Sequence, residues 1–123
     1  MDNTKPDLLY QKVIEWVEKR GYSEIKANID EFDTPSKFVR QMNGEEQDLI
    51  PDITALKHNR KAYFEIAQKT DDSTLTVTKW KLLSTMATVK KGKLFIMAPK
   101  GHKMFANKII NTYEINAELI SVK

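Results

Sequence analysis

Apolar residues recur along the chain with two periods, one helical and one alternating, and polar breaks separate them. Leu9, Val13, Trp16 and Val17 stand at helical spacing behind Pro6, and Lys19-Arg20-Gly21 follows as a stop, which predicts a helix from about Pro6 to Arg20. At 100° per residue Tyr10 and Ile14 join the apolar arc. Gln11 and Glu18 lie just off one edge of it, and Glu15 further round. Tyr22 to Ile29 alternates weakly and reads as a strand, interrupted at Asp33-Thr34-Pro35. Ser36 to Met42 fits either a strand or a helical turn. Asn43-Gly44 then signals a turn before a strand over Leu49 to Leu56. Lys57-His58-Asn59-Arg60 forms a polar turn, and Lys61 to Gln68 is the returning strand of a hairpin.

Asp71-Asp72-Ser73 supplies helix-start chemistry, and Leu75, Lys79, Leu82, Leu83, Met86 and Val89 keep helical spacing after it. The β-branched entry leaves the first helical residue open between Thr74 and Thr78. Lys91-Gly92 ends this helix. Lys93 to Ala98 is almost wholly apolar, the pattern of a strand covered on both faces. After Pro99-Lys100-Gly101 the pattern predicts a helix over His102 to Ile110 and a last strand over Ala117 to Val122, able to lie parallel to its neighbour. Helices that cross between strands of a mixed sheet predict a three-layer α/β domain.

The 123 residues show no internal repeat or linker and read as one domain, 1–123, long enough to bury roughly two-thirds of its unfolded surface. The absence of Cys excludes disulfide scaffolds, thiolate zinc sites and thiol nucleophiles. Met1 to Lys5 lacks the apolar core of a signal peptide, and no run approaches the ~18 apolar residues of a membrane span, so the expected location is cytoplasmic. The net charge of +3 is unevenly spread. Residues 1–72 carry 11 Lys and Arg against 15 Asp and Glu, whereas Ser73 to Tyr113 carries eight Lys and no acid. Carboxylates that do chemistry beside a surface for a polyanion would produce this split, and so would solubility alone.

Two acids stand out because each interrupts an apolar run: Asp52 in Ile50-Pro51-Asp52-Ile53, and Glu65, thirteen positions later, in Tyr63-Phe64-Glu65-Ile66-Ala67. If the two runs pair across the Lys57 to Arg60 turn, both carboxylates meet at one end of the sheet. Such a pair repels and is costly to bury unless a cation neutralises it, and Mg²⁺ favours one or two carboxylates with waters and phosphate. Taken singly, Asp52 reads as a turn residue after proline and Glu65 as an outward residue of an edge strand.

Pro51-Asp52, the later Glu65, the preceding helix and the following helix and buried strand resemble the PD-(D/E)XK nuclease superfamily, to which Holliday-junction resolvases and many restriction endonucleases belong. The resemblance spans about Pro6 to Val122. It implies a restriction-endonuclease-like three-layer αβα fold with a mixed central sheet, and a Mg- or Mn-dependent endonuclease that hydrolyses phosphodiester bonds in nucleic acid, with DNA as partner, no membrane, and room for a homodimer. By this resemblance Asp52 and Glu65 hold the metal and the Ile66 carbonyl adds a ligand. The motif's lysine, two residues past Glu65, is Ala67 here. Lys69 would share the face of Glu65 if the strand continues. Gln68 reaches it only through a bulge, and Lys79 can reach in from the next helix. The additional glutamate of the first helix has Gln11 and Glu18 as candidates, with Glu15 less well placed. The missing lysine keeps a second reading open, a catalytically degenerate module that binds nucleic acid or a protein partner, and a third, an interaction domain with ordinary acids.

The cations of Ser73 to Tyr113 are all lysine, which suits phosphate better than base edges and makes Lys79, Lys81, Lys100 and Lys103 candidate nucleic-acid contacts. Lys90-Lys91-Gly92-Lys93 and Lys100-Gly101-His102-Lys103 flank the apolar strand at opposite ends, so they cannot both border one site. Trp16 reads as a core residue, and Trp80 as either core or a stacking platform. His58 and His102 lack metal-ligand spacing, and Ser84 and Thr85 lack the partners of a nucleophilic triad.

Overall fold

The computed structural model describes residues 5–42 and 44–123. Asp7–Lys19 forms helix α1, followed by strands β1 (Ser23–Ala27), β2 (Phe38–Met42), β3 (Glu45–Leu49), β4 (Ile53–Lys57) and β5 (Arg60–Ile66). Helix α2 (Thr74–Val89), strand β6 (Lys93–Pro99), helix α3 (Lys103–Thr112) and strand β7 (Glu118–Val122) complete the chain. The fold is α/β. Five strands form a mixed sheet in the order β1-β4-β5-β6-β7, antiparallel from β1 to β5 and parallel from β5 to β7.

The hairpin turn sets the register of this sheet. His58 and Asn59 both take positive φ, +53° and +63°, between the paired Lys57 and Arg60. Two left-handed central residues give the turn whose twist matches the strands it joins. The pairing then runs strictly from Lys57↔Arg60 to Ile53↔Phe64, which leaves Asp52 and Glu65 next in line.

Alternation along β5 and β6 sends side chains to opposite faces, and each face has its own core. Ala62, Phe64 and Ile66 pack with Phe95 and Met97 against the stripe of α1 formed by Tyr10, Val13, Ile14 and Val17. The rings of Phe64 and Phe95 stack at 5.0 Å, with Trp16 and Tyr22 at their edges. On the other face Tyr63, Leu94 and Ile96 meet Val77, Trp80 and Leu83 of α2 and Ala106 and Ile109 of α3. Each side chain fully withdrawn from water contributes about 1.5–3 kcal/mol, which explains why the nearly polar-free β6 lies inside the sheet, between β5 and β7.

The break at Pro51 is not visible in the pattern. The strand expected over Leu49 to Leu56 is two strands of different sheets: Leu49 ends β3, which pairs only with β2, and β4 begins at Ile53. Pro51 has no N–H for a ladder, and the chain turns there. The segment Ser36 to Met42, open between strand and helical turn, is therefore strand from Phe38 on. Of the expected Asn43-Gly44 turn, Asn43 lies outside the described residues and Gly44 takes φ +80°. Met1–Thr4, part of the stretch judged against a signal peptide, also lie outside them. No helix among the described residues is long and apolar enough to cross a membrane.

Gly92, between α2 and β6, packs its Cα directly on the β5 backbone; a Cβ there would lie 1.7 Å from the Lys61 carbonyl oxygen. The obstacle is backbone, so relief requires the parallel β5–β6 pairing to shift. Gly92→Ala is expected to lower the unfolding free energy by about 3 kcal/mol in urea titration, against a change within about 0.5 kcal/mol for Lys90→Ala on the exposed surface nearby. Equal stability of the two variants would contradict this packing.

Candidate active site

The turn-set register brings Asp52 and Glu65 together at the end of the β4–β5 hairpin, beneath the start of α1 and beside α2. Both are buried, with relative exposures of 2% and 0%. They are cross-linked through the backbone: the Asp52 N–H donates to Glu65 Oε2 at 2.7 Å, and the Ile66 N–H donates to Asp52 Oδ2 at 2.8 Å. Each carboxylate thus fixes the main chain that carries the other.

Three side chains complete the cluster. Lys79, one turn into α2, places its Nζ 3.1 Å from Glu65 Oε1 and 3.5 Å from Asp52 Oδ1. Lys5, just before α1, places its Nζ 2.5 Å from Asp52 Oδ2 and donates to the Ile66 carbonyl at 2.8 Å. Tyr10 of α1 donates its hydroxyl to Asp52 Oδ1 at 3.2 Å. Glu65 Oε1 has the Lys79 charge beside it but no aligned hydrogen bond, and Glu65 is among the residues that line a cleft of about 240 Å³.

These surroundings move the titrations apart. Burial pushes Asp52 up, but the charges of Lys5 and Lys79 and the hydrogen bonds from Lys5 and the Ile66 amide outweigh it and hold the carboxyl below the ordinary aspartate range. Burial likewise pushes Glu65 up, and there the nearby Asp52 charge adds to it; the lysines offset this only in part, so Glu65 stays above the ordinary glutamate range. For Lys79 burial favours the neutral amine, but the two carboxylates reverse this and keep it protonated. Tyr10 is raised by burial and then by the Asp52 and Glu65 charges, so its hydroxyl remains a donor.

Of the residues expected here from the sequence, Asp52, Glu65, the Ile66 carbonyl, Lys79 and Gln68 line the cleft. Gln68 needs no bulge, since β5 ends at Ile66 and alternation ends with it. The same ending removes Lys69: its side chain is exposed and its backbone N–H donates to His102 Nδ1. Gln11 and Glu18 are exposed on α1, as is Glu15. The part of α1 over the acids is its first turn rather than its flank, so Lys5 and Tyr10 take the place expected for an α1 glutamate. Tyr10 had only the signature of a core aromatic, and Lys5 that of a solvated terminal residue. Among the described residues no three His, Cys, Asp or Glu side chains form a metal cluster.

The lysines divide between the two ends of the sheet. Lys100 and Lys103 follow the C-terminal end of β6, the end at which β5 also finishes, and are exposed on the side of the site. Lys81 points away from it, with Nζ 5.8 Å from the Tyr113 ring centroid. Lys91 and Lys93 join Lys57, Arg60 and Lys61 in a basic groove at the opposite end. Trp80 is buried against Tyr63 and offers no stacking face. Ser84 donates to the Asn116 carbonyl, a structural bond.

Lys79→Met tests the electrostatics of the cluster. At about pH 7.5 it is expected to cost about 3 kcal/mol in urea unfolding, because Glu65 loses its nearest cation. The folded pKa of Glu65 already lies above its unfolded value, so its penalty exists above that pKa and disappears as pH falls through it; removing Lys79 raises it further. The loss at about pH 5 should therefore be smaller than at about pH 7.5, and equal losses at the two pH values would refute this account.

No protein-family model matches the chain, and no curated protein matches it in sequence. Its fold is similar to that in the crystal structure of protein VC1899 from Vibrio cholerae, with a TM-score of 0.53 and 16% identity over 93% of this chain and 28% of that one. The chain thus spans less than a third of that protein's length, and the likeness is one of fold.

Proposed function

We propose that this chain is a restriction-endonuclease-like domain of three αβα layers, akin to the PD-(D/E)XK nucleases, that hydrolyses phosphodiester bonds in DNA with Mg²⁺ or Mn²⁺. The observation that carries the reading is the Asp52–Glu65 pair, buried at a strand end in one cleft with the Ile66 carbonyl beside it.

The donor chemistry fits a hard divalent cation. Glu65 Oε1 is a buried carboxylate oxygen without an aligned donor, Asp52 is held ionised, and the Ile66 carbonyl points at the same position as Asp52 Oδ2. Asp52, Glu65 and Ile66 are the residues that would hold the ion. When bound, it would polarise the phosphodiester and lower the pKa of a water for in-line attack. The chain's own contribution is positional. The two backbone hydrogen bonds fix both carboxylates, and Tyr10 orients Asp52 from the far side. Lys79 keeps a protonated ammonium between the acids, from where it can stabilise charge developing on phosphate and fill the role left open by Ala67. Lys100 and Lys103 add positive charge at the same end for the backbone of the nucleic acid.

One observation favours a second reading. Lys5 and Lys79 already neutralise both acids without a metal, as they would in a degenerate module that binds nucleic acid without hydrolysis. Incubation with plasmid or branched DNA and Mg²⁺ or Mn²⁺ decides between them. The proposal expects nicking that falls about a hundredfold or more in Asp52→Asn and in Glu65→Gln. Cleavage unchanged in both variants would sink the assignment, and salt-dependent binding without any metal-dependent cleavage would establish the second reading.

A further inference from the structure

We propose that Lys5 is the chain's own occupant of the cation position, and that a divalent ion enters only as the Lys5 ammonium withdraws. This rests on reading the Asp52–Glu65 pair as a metal site, and it adds a means of controlling that site.

Competition follows from the lone pairs. Lys5 Nζ contacts Asp52 Oδ2 and the Ile66 carbonyl, two of the three donors a metal would use. Asp52 Oδ2 also accepts the Ile66 N–H at 2.8 Å, so its lone pairs are taken while Lys5 is in place. An ammonium and a metal ion cannot share that oxygen and that carbonyl at bonding distance. Lys5 thus differs from Lys79, which approaches the other oxygens, Asp52 Oδ1 and Glu65 Oε1, and leaves Oδ2 untouched.

The charge balance points the same way. With both lysines in place, two ammoniums offset two carboxylates, and a divalent ion added on top would be repelled. Exchange of Lys5 for the ion leaves the cluster one charge positive, the complement of a phosphodiester. The neutral arrangement is the resting one, and the arrangement without Lys5 is matched to substrate.

The exchange is also mechanically cheap. Lys5 precedes α1, which is held to the sheet by Tyr10, Val13, Ile14 and Val17 and does not depend on Lys5 for its packing. The Lys5 side chain retains 15% exposure at the edge of the cleft, so rotations about its own flexible stem carry the ammonium to water while the helix stays in place.

Two measurements on the full chain test this. The first is Mn²⁺ binding by calorimetry in the wild type, Lys5→Met and the double variant Lys5→Met/Asp52→Asn. The single variant should bind about tenfold or more tightly than the wild type, and the added Asp52→Asn should abolish the gain. The second is acetylation of Lys5 read by mass spectrometry, with exposed Lys12 of α1 as internal reference. Lys5 should react slowly without metal and speed up by about tenfold when Mn²⁺ is added. A remote charge effect would change affinity in the first measurement but would not protect Lys5 in the second. Equal Mn²⁺ affinity of wild type and Lys5→Met, or Lys5 reacting as fast as Lys12 without metal, overturns the role of Lys5 and leaves the metal site standing. Absence of Mn²⁺ binding from both proteins overturns the metal site itself, and the exchange with it.

Discussion

Two carboxylates at 2% and 0% exposure face each other at one strand end, and the rest of the site is arranged around the cost of keeping them there. Neither could stay ionised alone, since an isolated buried charge costs several kcal/mol and a like-charged neighbour adds to it. The structure answers with two layers of compensation. The backbone amides of Asp52 and Ile66 each donate to the opposite residue's carboxylate, and the ammoniums of Lys5 and Lys79 supply the countercharge. The cations arrive from different elements, one before α1 and one on α2, so the cluster ties the helices on the two faces of the sheet to its middle.

The same arrangement explains why the two acids titrate in opposite directions. Asp52 receives Lys5, Lys79 and the Ile66 amide and is held ionised; Glu65 receives fewer donors, feels the Asp52 charge and is raised. The pair therefore has one firm anion and one oxygen, Glu65 Oε1, whose demand for a partner is only partly met. The Lys79 ammonium, 3.1 Å away, is the charge nearest to that oxygen.

Much of the fold was legible along the chain because it depends on local rules. Helical spacing located α1, α2 and α3, the apolar run Lys93 to Ala98 marked an interior strand, and the four-residue turn at Lys57 to Arg60 implied the hairpin. The break at Pro51 was hidden because Leu49, Ile50 and Ile53 continue an apolar pattern across it, although the flanking segments belong to different sheets. Lys69 was misleading for a related reason: its candidacy assumed a strand three residues longer than β5, which ends at Ile66. Spacing put Tyr10 in the apolar arc and Gln11 and Glu18 at its edge, but it carried no sign that the Tyr10 hydroxyl reaches Asp52 while the other two face solvent.

The amino-acid sequence by itself determined which two acids would meet. A two-residue turn and strict β pairing are short-range constraints, and together they oppose Asp52 to Glu65. Which cations neutralise them was decided only by the tertiary structure. Lys5 lies 47 positions from Asp52 in sequence and Lys79 27, and both reach it only because α1 and α2 pack on opposite faces of the sheet with their first turns toward the same strand end. Long flexible side chains carry no period that reports where their charged ends come to rest; packing of the apolar faces places the helices, and the ammoniums follow.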